Sequence, residues 1–335
     1  MVADAPTPLE GVDTVLADLD GVVYRGSQAI DHAVESLTAI AETRRVGYIT
    51  NNASRTAAAV AQQLAAYGLN VTADDVVTSP QAAVRLLGET VPAGSTVLVV
   101  GGEGLTSVLE ENGYVVTRSA DDEPAAVMQG FSPEVGWPQL AEASFALHTG
   151  IPWIATNTDW TIPQERGIAP GNGTLVSAVH TAVGRLPEVA GKPETPIFTA
   201  AVERFGATKA LFIGDRLDTD IIGANRAGLV SVLVLTGIDG SKQLLSAEAA
   251  SRPDFIVGDL RELQQPYPEI VEHDEDDVRV VSVRDASVAV RGNVVRVLSA
   301  GTDPTDLVRA GTAAVWGTNR AIYGLDVDPA LHAAD

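Results

Sequence analysis

Short apolar runs that end in small or polar residues recur along the chain: Val12–Leu19, Val46–Thr50, Asp75–Ser79, Thr96–Val100, Ala125–Phe131, Trp153–Asn157, Ala210–Gly214, Ser231–Leu235 and Phe255–Gly258. Each predicts a buried strand. Ala-rich stretches with helical spacing lie between them, around 57–67, 81–87, 196–205 and 219–227. Such alternation predicts an α/β protein with parallel sheets covered by helices. Open parallel sheets bind ligands outside the carboxyl ends of their strands, so the informative residues are those that directly follow each run. Strand ends bearing reactive residues fall before about Ser79 and after about Ala190. The quieter α/β block between them reads as an inserted second domain.

After Pro266 the pattern changes. Glu272-His273-Asp274-Glu275-Asp276-Asp277 is a charge run, read as a solvated linker over 266–277. Alternation in Val278–Val283 and Ser287–Leu298, around an Arg291-Gly292-Asn293 turn, predicts a β-hairpin. Pro304–Trp316 has helical spacing and 322–327 reads as a strand, so the tail at 278–335 is a small α+β extension.

Composition narrows the chemistry. Apolar residues make up 45% of the 335, enough for real cores, and that length favours at least two folding units. Lys and Arg number 22 against 44 Asp and Glu, a net charge of −22, which disfavours nucleic acid and anionic membranes as partners. An anionic substrate would therefore need local cations to offset the global field. The chain has no cysteine, which excludes disulfides, thiolate catalysis and cysteine-based metal sites. A signal-peptide pattern at 1–10 and an apolar run of membrane-spanning length are both missing, so a cytoplasmic protein is expected.

Asp18-Leu19-Asp20-Gly21-Val22 closes the first strong apolar run. Residues two apart on a strand face the same side, so both carboxylates can meet one ligand, and Gly21 permits a sharp exit. The pair could divide attack and proton transfer, or bind a hard cation through oxygen; alone it is a weak signal, more often a solvated strand-end turn. Tyr48-Ile49-Thr50-Asn51-Asn52-Ala53-Ser54 follows another strand, where a hydroxyl and successive N–H groups can hold phosphate, or simply make a turn and helix cap. Lys192 stands in Gly191-Lys192-Pro193, which lacks the glycine and hydroxyl residue of a nucleotide-binding P-loop. Asp215, Asp218 and Asp220 follow the run ending at Gly214. Two such charges about 4 Å apart repel by ~4 kcal/mol at an effective dielectric of 20, so a metal is the simplest explanation, and all-oxygen ligation favours Mg²⁺ over zinc. The histidines show no metal-ligand spacing, a serine-hydrolase elbow is missing, and Gly101-Gly102-Glu103-Gly104 lacks the dinucleotide-loop spacing.

Taken together and in order, Asp18-Leu19-Asp20-Gly21, Thr50-Asn51-Asn52, Gly191-Lys192-Pro193 and Gly214-Asp215-Arg216-Leu217-Asp218-Thr219-Asp220 resemble the signature motifs of the haloacid dehalogenase superfamily. The long insert resembles the C2-type cap of its NagD-like, 4-nitrophenylphosphatase and phosphoglycolate phosphatase group. The resemblance implies a Rossmann-like core at 1–79 and 190–265 and a cap at 80–189. It implies Asp18 as nucleophile, Asp20 as general acid and base, and Lys192 as the cation between phosphate and Asp18. Thr50, Asn51 and Asn52 would bind phosphate. Mg²⁺ would sit on Asp18, the Asp20 carbonyl and Asp215, with Asp220 and Gly21 in support. Asn157, Asp159 and Arg166, in a stretch similar to the family's cap loop, would meet the leaving group, and homodimerisation through the cap is implied. The tail departs from the common pattern. It resembles an acetyltransferase-like extension found on actinobacterial glycerol-3-phosphate phosphatases, and no acetyl-CoA loop is found in it, so an interaction or structural role is expected. By that similarity glycerol 3-phosphate is the leading expected substrate, against a nucleotide monophosphate, phosphoglycolate or pyridoxal phosphate. The remaining rival is a non-catalytic phospho-ligand binder.

Overall fold

The computed structural model describes residues 6–164 and 166–333. Its contacts divide the chain into two compact units, Met1–Arg44 with Lys209–Asp335, and Arg45–Thr208. Among the described residues, none of the helices is long and apolar enough to cross a membrane.

In the first unit, parallel strands run in the order Phe255–Val257, Val230–Val234, Ala210–Gly214 and Thr14–Ala17. The last two are buried along their whole length, which is why they read as continuous apolar runs rather than as alternation. Their register sets Ala17 beside Ile213, and the Asp18 N–H donates to the Ile213 carbonyl at 2.9 Å. The residues that follow these neighbouring strands therefore leave the sheet at one place.

The tail belongs to this unit. Its antiparallel strands are Ile270–Glu275, Val278–Val283, Ala286–Arg291 and Val294–Ala300, and Asp326–Val327 joins the last in parallel. Helix Pro304–Trp316 forms as the spacing predicts, with Pro304 in its first turn and the Asp303 carboxylate accepting from the Thr305 N–H. Two expectations change here. Most of the acidic run is an edge strand, Ile270–Glu275, instead of an irregular linker: its backbone pairs with Val278–Val283 while all six side chains stay in water. Acidic side chains on an edge also discourage further strand pairing. Within 322–327 only Asp326 and Val327 are strand, because Ile322–Gly324 is a single 3₁₀ turn. Val281, Val283, Val288, Val295, Leu307 and Val308 from the tail share one apolar cluster with Leu217, Ile221, Leu233 and Ile256.

The second unit holds a parallel sheet in the order Glu188–Val189, Trp153–Ala155, Ala126–Gln129, Thr96–Val100 and Val115–Thr117. Helices Trp137–Leu147 and Asn172–Val183 contribute Ala143, Leu147, Val176 and Val179 to an apolar cluster with Leu98, Val100, Val127 and Trp153 of this sheet. The same unit contains the parallel pair Arg45–Thr50 and Val76–Thr78, helix Pro196–Phe205, and a hairpin of Thr161–Gln164 with Gly167–Pro170.

Candidate active site

In the first unit, the adjacent strand ends bring Asp18, Asp215 and Asp220 together, with carboxylate oxygens within 4.8 Å of one another. Asp18 is 9% exposed, Asp215 1% and Asp220 0%. At an effective dielectric of 20, two charges at that separation repel by about 3 kcal/mol, so a buried all-oxygen group of this kind fits a hard divalent cation. Asp215 is aimed by the Ile238 N–H, which donates to its Oδ2 at 2.8 Å. Asp220 has a second task, since its Oδ2 accepts from the N–H groups of Asp215 and Arg216 at 3.1 and 3.2 Å and so shapes the loop. That loop enters a wide π-type turn, Leu217–Ile221, before helix Ile222–Arg226. Asp218, the third carboxylate of the motif, stands apart: it is exposed and ion-paired with Arg216 at 2.9 Å.

Asp20 is exposed, at a bridge to Tyr24, and is not part of the three-carboxylate group. Gly21 has φ +81°, and a Cβ there would lie 2.1 Å from Asp215 Oδ2. Only glycine gives both the turn and the room beside that carboxylate. Asp239 and Thr236 complete this region. The Leu217 N–H donates to Asp239 Oδ2 at 2.7 Å, and the Thr236 hydroxyl donates to the Gly21 carbonyl at 2.8 Å. Burial raises the Asp239 pKa, and the bond from Leu217 opposes that shift.

In the second unit, Thr50 ends its strand and is buried, and its hydroxyl oxygen accepts from the Asn52 N–H at 3.1 Å. Asn52 is exposed, and its side chain closes a turn by accepting from the Ser54 N–H. The following helix, Ala57–Ala66, is capped by Thr56, so its N-terminus does not begin at Asn51. Asn51 is the hub. Its Oδ1 accepts from the Lys192 N–H at 2.8 Å, and its Nδ2 donates to the Lys192 carbonyl at 3.0 Å and to the Asp159 carboxylate at 3.1 and 3.3 Å. The Asn51 carbonyl accepts from Asn157 Nδ2 at 2.7 Å and from the Ser79 hydroxyl at 2.8 Å. Asn157 Oδ1 accepts from the Asp159 N–H at 3.2 Å, and the Asn157 carbonyl accepts from Asn172 Nδ2 at 2.7 Å. Lys192 is 3% exposed and Asn157 4%. Arg166 is exposed, in the turn of the 161–170 hairpin.

The family profile for haloacid dehalogenase-like hydrolases matches residues 15–115, and a HAD-hydrolase-like profile matches 189–263. The D-glycerol 3-phosphate phosphatase of Mycobacterium tuberculosis is 42% identical over 317 residues, which cover 92% of this chain and 87% of that protein. The chain belongs to the haloacid dehalogenase-like hydrolases. A crystal structure of the M. tuberculosis glycerol phosphate phosphatase in complex with magnesium aligns with TM-score 0.82 at 40% identity, over 93% of each chain. The 4-nitrophenylphosphatase of Thermotoga maritima aligns with TM-score 0.72 at 30% identity, over 78% of this chain and all of its own.

In this hydrolase the residues to which motif reading assigned no role are Ser79, Asn172, Thr236 and Asp239. Asn172 had the one available signal, a Pro-Gly-Asn-Gly stretch that marks a shaped loop. Ser79 opens helix Ser79–Gly88, Thr236 and Asp239 lie in the loop after Val230–Val234, and their partners are 28, 215 and 22 residues away.

Proposed function

We propose that the chain is a Mg²⁺-dependent phosphomonoester hydrolase that converts glycerol 3-phosphate to glycerol and phosphate. The observation that carries this reading is the buried Asp18–Asp215–Asp220 group at adjacent strand ends, in a chain 42% identical to a D-glycerol 3-phosphate phosphatase. Residues 1–79 and 190–265 form the catalytic core in this reading, and 80–189 its cap.

Asp18 attacks phosphorus, forming an acyl-phosphate bond as the ester P–O bond breaks, and Asp20 gives its proton to the departing alkoxide. Water then attacks the aspartyl-phosphate with Asp20 taking its proton, which frees Asp18 and inorganic phosphate. Thr50, with the Asn51 backbone amide and Asn52, holds phosphate oxygens, and Lys192 offsets their charge. Asp18, the Asp20 carbonyl and Asp215, with Asp220 in support, would hold Mg²⁺, which would supply the remaining charge neutralisation. Asp159 and Arg166 are the cap residues we assign to the leaving group. Trp160, 65% exposed, is the one aromatic in the sequence from Asn157 to Arg166, which favours a small polar leaving group over a base that needs stacking.

The test is phosphate release from a panel of phosphomonoesters with Mg²⁺ and with EDTA. The expected result is Mg²⁺-dependent release with glycerol 3-phosphate first in kcat/KM. A nucleotide monophosphate, phosphoglycolate or pyridoxal phosphate ranked first would replace the substrate, and no release from any ester would leave a phospho-ligand binder.

We place the enzyme in the cytoplasm, because phosphomonoesters are too polar to cross a bilayer unaided. We also propose that it is a homodimer joined through the cap, whose exposed Trp137, Phe145, Ile168 and Leu186 support an apolar contact. Sedimentation equilibrium should give twice the 34.8 kDa chain mass, and substituting Trp137 and Phe145 with Ser should halve it. A monomer in the wild type would dispose of this assembly.

A further inference from the structure

We propose that Asn51 and Asn157 are positioning residues that hold the Lys192 backbone in register through their side chains, and that Asn157 meets no part of the leaving group. The inference rests on the phosphatase reading of Lys192 and deepens it.

The Asn51 carboxamide meets the N–H and carbonyl of Lys192 as one more peptide group would, one donor and one acceptor on each side. The orientation of this amide follows from the network. Reversed, it would set two donors face to face at 2.8 Å and would lose its bond to the Asp159 carboxylate. Gly191 lets the chain approach this closely, since a Cβ there would lie 2.4 Å from the Thr156 carbonyl and 2.6 Å from Asn51 Oδ1. Residues 141 apart in sequence are thereby fixed to one another.

Asn157 supports Asn51 from beneath. It is 4% exposed, its Nδ2 holds the Asn51 carbonyl and its Oδ1 holds the Asp159 N–H. A side chain with both ends engaged and almost no exposed surface has little left to offer a substrate. Its neighbour Asn172 is fully buried and fixes the Asn157 backbone in turn. The relay thus runs Asn172, Asn157, Asn51, Lys192. Lysine is a long and flexible chain, and its ammonium can be aimed only if its backbone and stem are fixed. Misplacement of a charge-stabilising group by about 1 Å can cost on the order of 10²-fold in rate.

The experiment measures kcat and KM on the ester panel, and the Ki of inorganic phosphate, for wild type, Asn51→Ala, Asn157→Ala, the isosteric Asn157→Asp and the double alanine variant. Asn157→Asp keeps the size of the side chain but sets a carboxylate oxygen against the Asn51 carbonyl where the donor stood, so it breaks that bond without truncation and carries the test if Asn157→Ala fails to fold; melting curves report folding. The expected loss in kcat/KM is roughly tenfold to a hundredfold, by the same factor for every ester, because the group displaced serves the phosphate that all esters share. The Ki of phosphate should weaken in parallel. The double variant should be no worse than the more damaging single one, because both act through Lys192. A loss for the Asn157 variants that depends on the leaving group, multiplying losses in the double variant, or unchanged kcat/KM would overturn the proposal. A wild type that releases no phosphate from any ester would instead remove the phosphatase reading, and the positioning role with it.

Discussion

Asp18→Asn should reduce phosphate release by about 10⁴-fold or more, the usual consequence of removing a nucleophile, and should at the same time stabilise the metal-free protein. The second effect distinguishes this site from a simple loss of structure. Asp18, Asp215 and Asp220 bring three carboxylates within 4.8 Å of one another in a buried setting. Folding without a cation must bear that repulsion, about 3 kcal/mol for each pair at an effective dielectric of 20 before local N–H groups are considered. The Ile238 N–H at Asp215 and the Asp215 and Arg216 N–H groups at Asp220 relieve part of it. Neutralising Asp18 removes two of the three pairings, so urea unfolding in EDTA should show a gain of about 1–3 kcal/mol. The wild type should recover that difference when Mg²⁺ is added, since a ligand at a hundred times its Kd stabilises by about 2.7 kcal/mol. Asp18→Asn should respond to Mg²⁺ much less. If the variant is less stable than wild type in EDTA, interactions of Asp18 within the chain outweigh the repulsion among the three carboxylates, and the gain predicted from that repulsion is wrong.

What could be read from the chain beforehand follows from the kind of burial involved. Thr14–Ala17 and Ala210–Gly214 are covered on both faces, so their sequences are unbroken apolar runs, and the first polar residues beyond them, Asp18 and Asp215, mark the carboxyl ends of the sheet. The strand-end positions of Asp18 and Asp215 were legible for that reason, whereas the place of Asp220 beside them and of Asp20 outside the group was not. Nor was partner choice. Nothing local in Asn51 indicates that its amide pairs with the backbone of Lys192, because an Asn after a strand makes turns equally well, as Asn52 does. The acidic run 272–277 illustrates a different gap. Periodicity reports burial, and a strand whose side chains are all in water has no burial to report, so Ile270–Glu275 is defined only by its pairing with Val278–Val283. In the same way the apolar residues of the tail announce a core without saying that Leu217 and Ile221, just beyond Asp215, belong to it.

That shared core gives the tail a definite energetic role, concentrated at Arg309. This residue is 1% exposed, in the middle of helix Pro304–Trp316. Its guanidinium donates twice to the Ile256 carbonyl, at 2.9 and 2.7 Å, and once to Asp306 at 2.8 Å. It is also bonded to Glu262 and lies 4.9 Å from the ring centroid of Tyr267. Burial pushes the Tyr267 phenol above its ordinary pKa, and its hydroxyl oxygen accepts from the Ile256 N–H at 3.1 Å. Ile256 sits on the edge strand Phe255–Val257, and the tail helix therefore supplies donors to an edge that would otherwise present unpaired carbonyls. Arg309→Met keeps most of the volume and removes every one of these donors. Among the described residues it leaves Asp306, fully buried, with the half-exposed Arg284 as its remaining cation, at 2.9 Å. Removing one partner of a buried ion pair costs about 3–5 kcal/mol, and because Arg284 still offsets part of the Asp306 charge the lower end is expected, which urea unfolding would register as a lower midpoint. Arg309→Met combined with Asp306→Leu should cost less than Arg309→Met alone, because the second substitution removes the charge that the first one strands. If Arg309→Met costs under about 1 kcal/mol, the tail is held to the sheet by its apolar contacts, and the buried cation contributes specificity of docking and little stability.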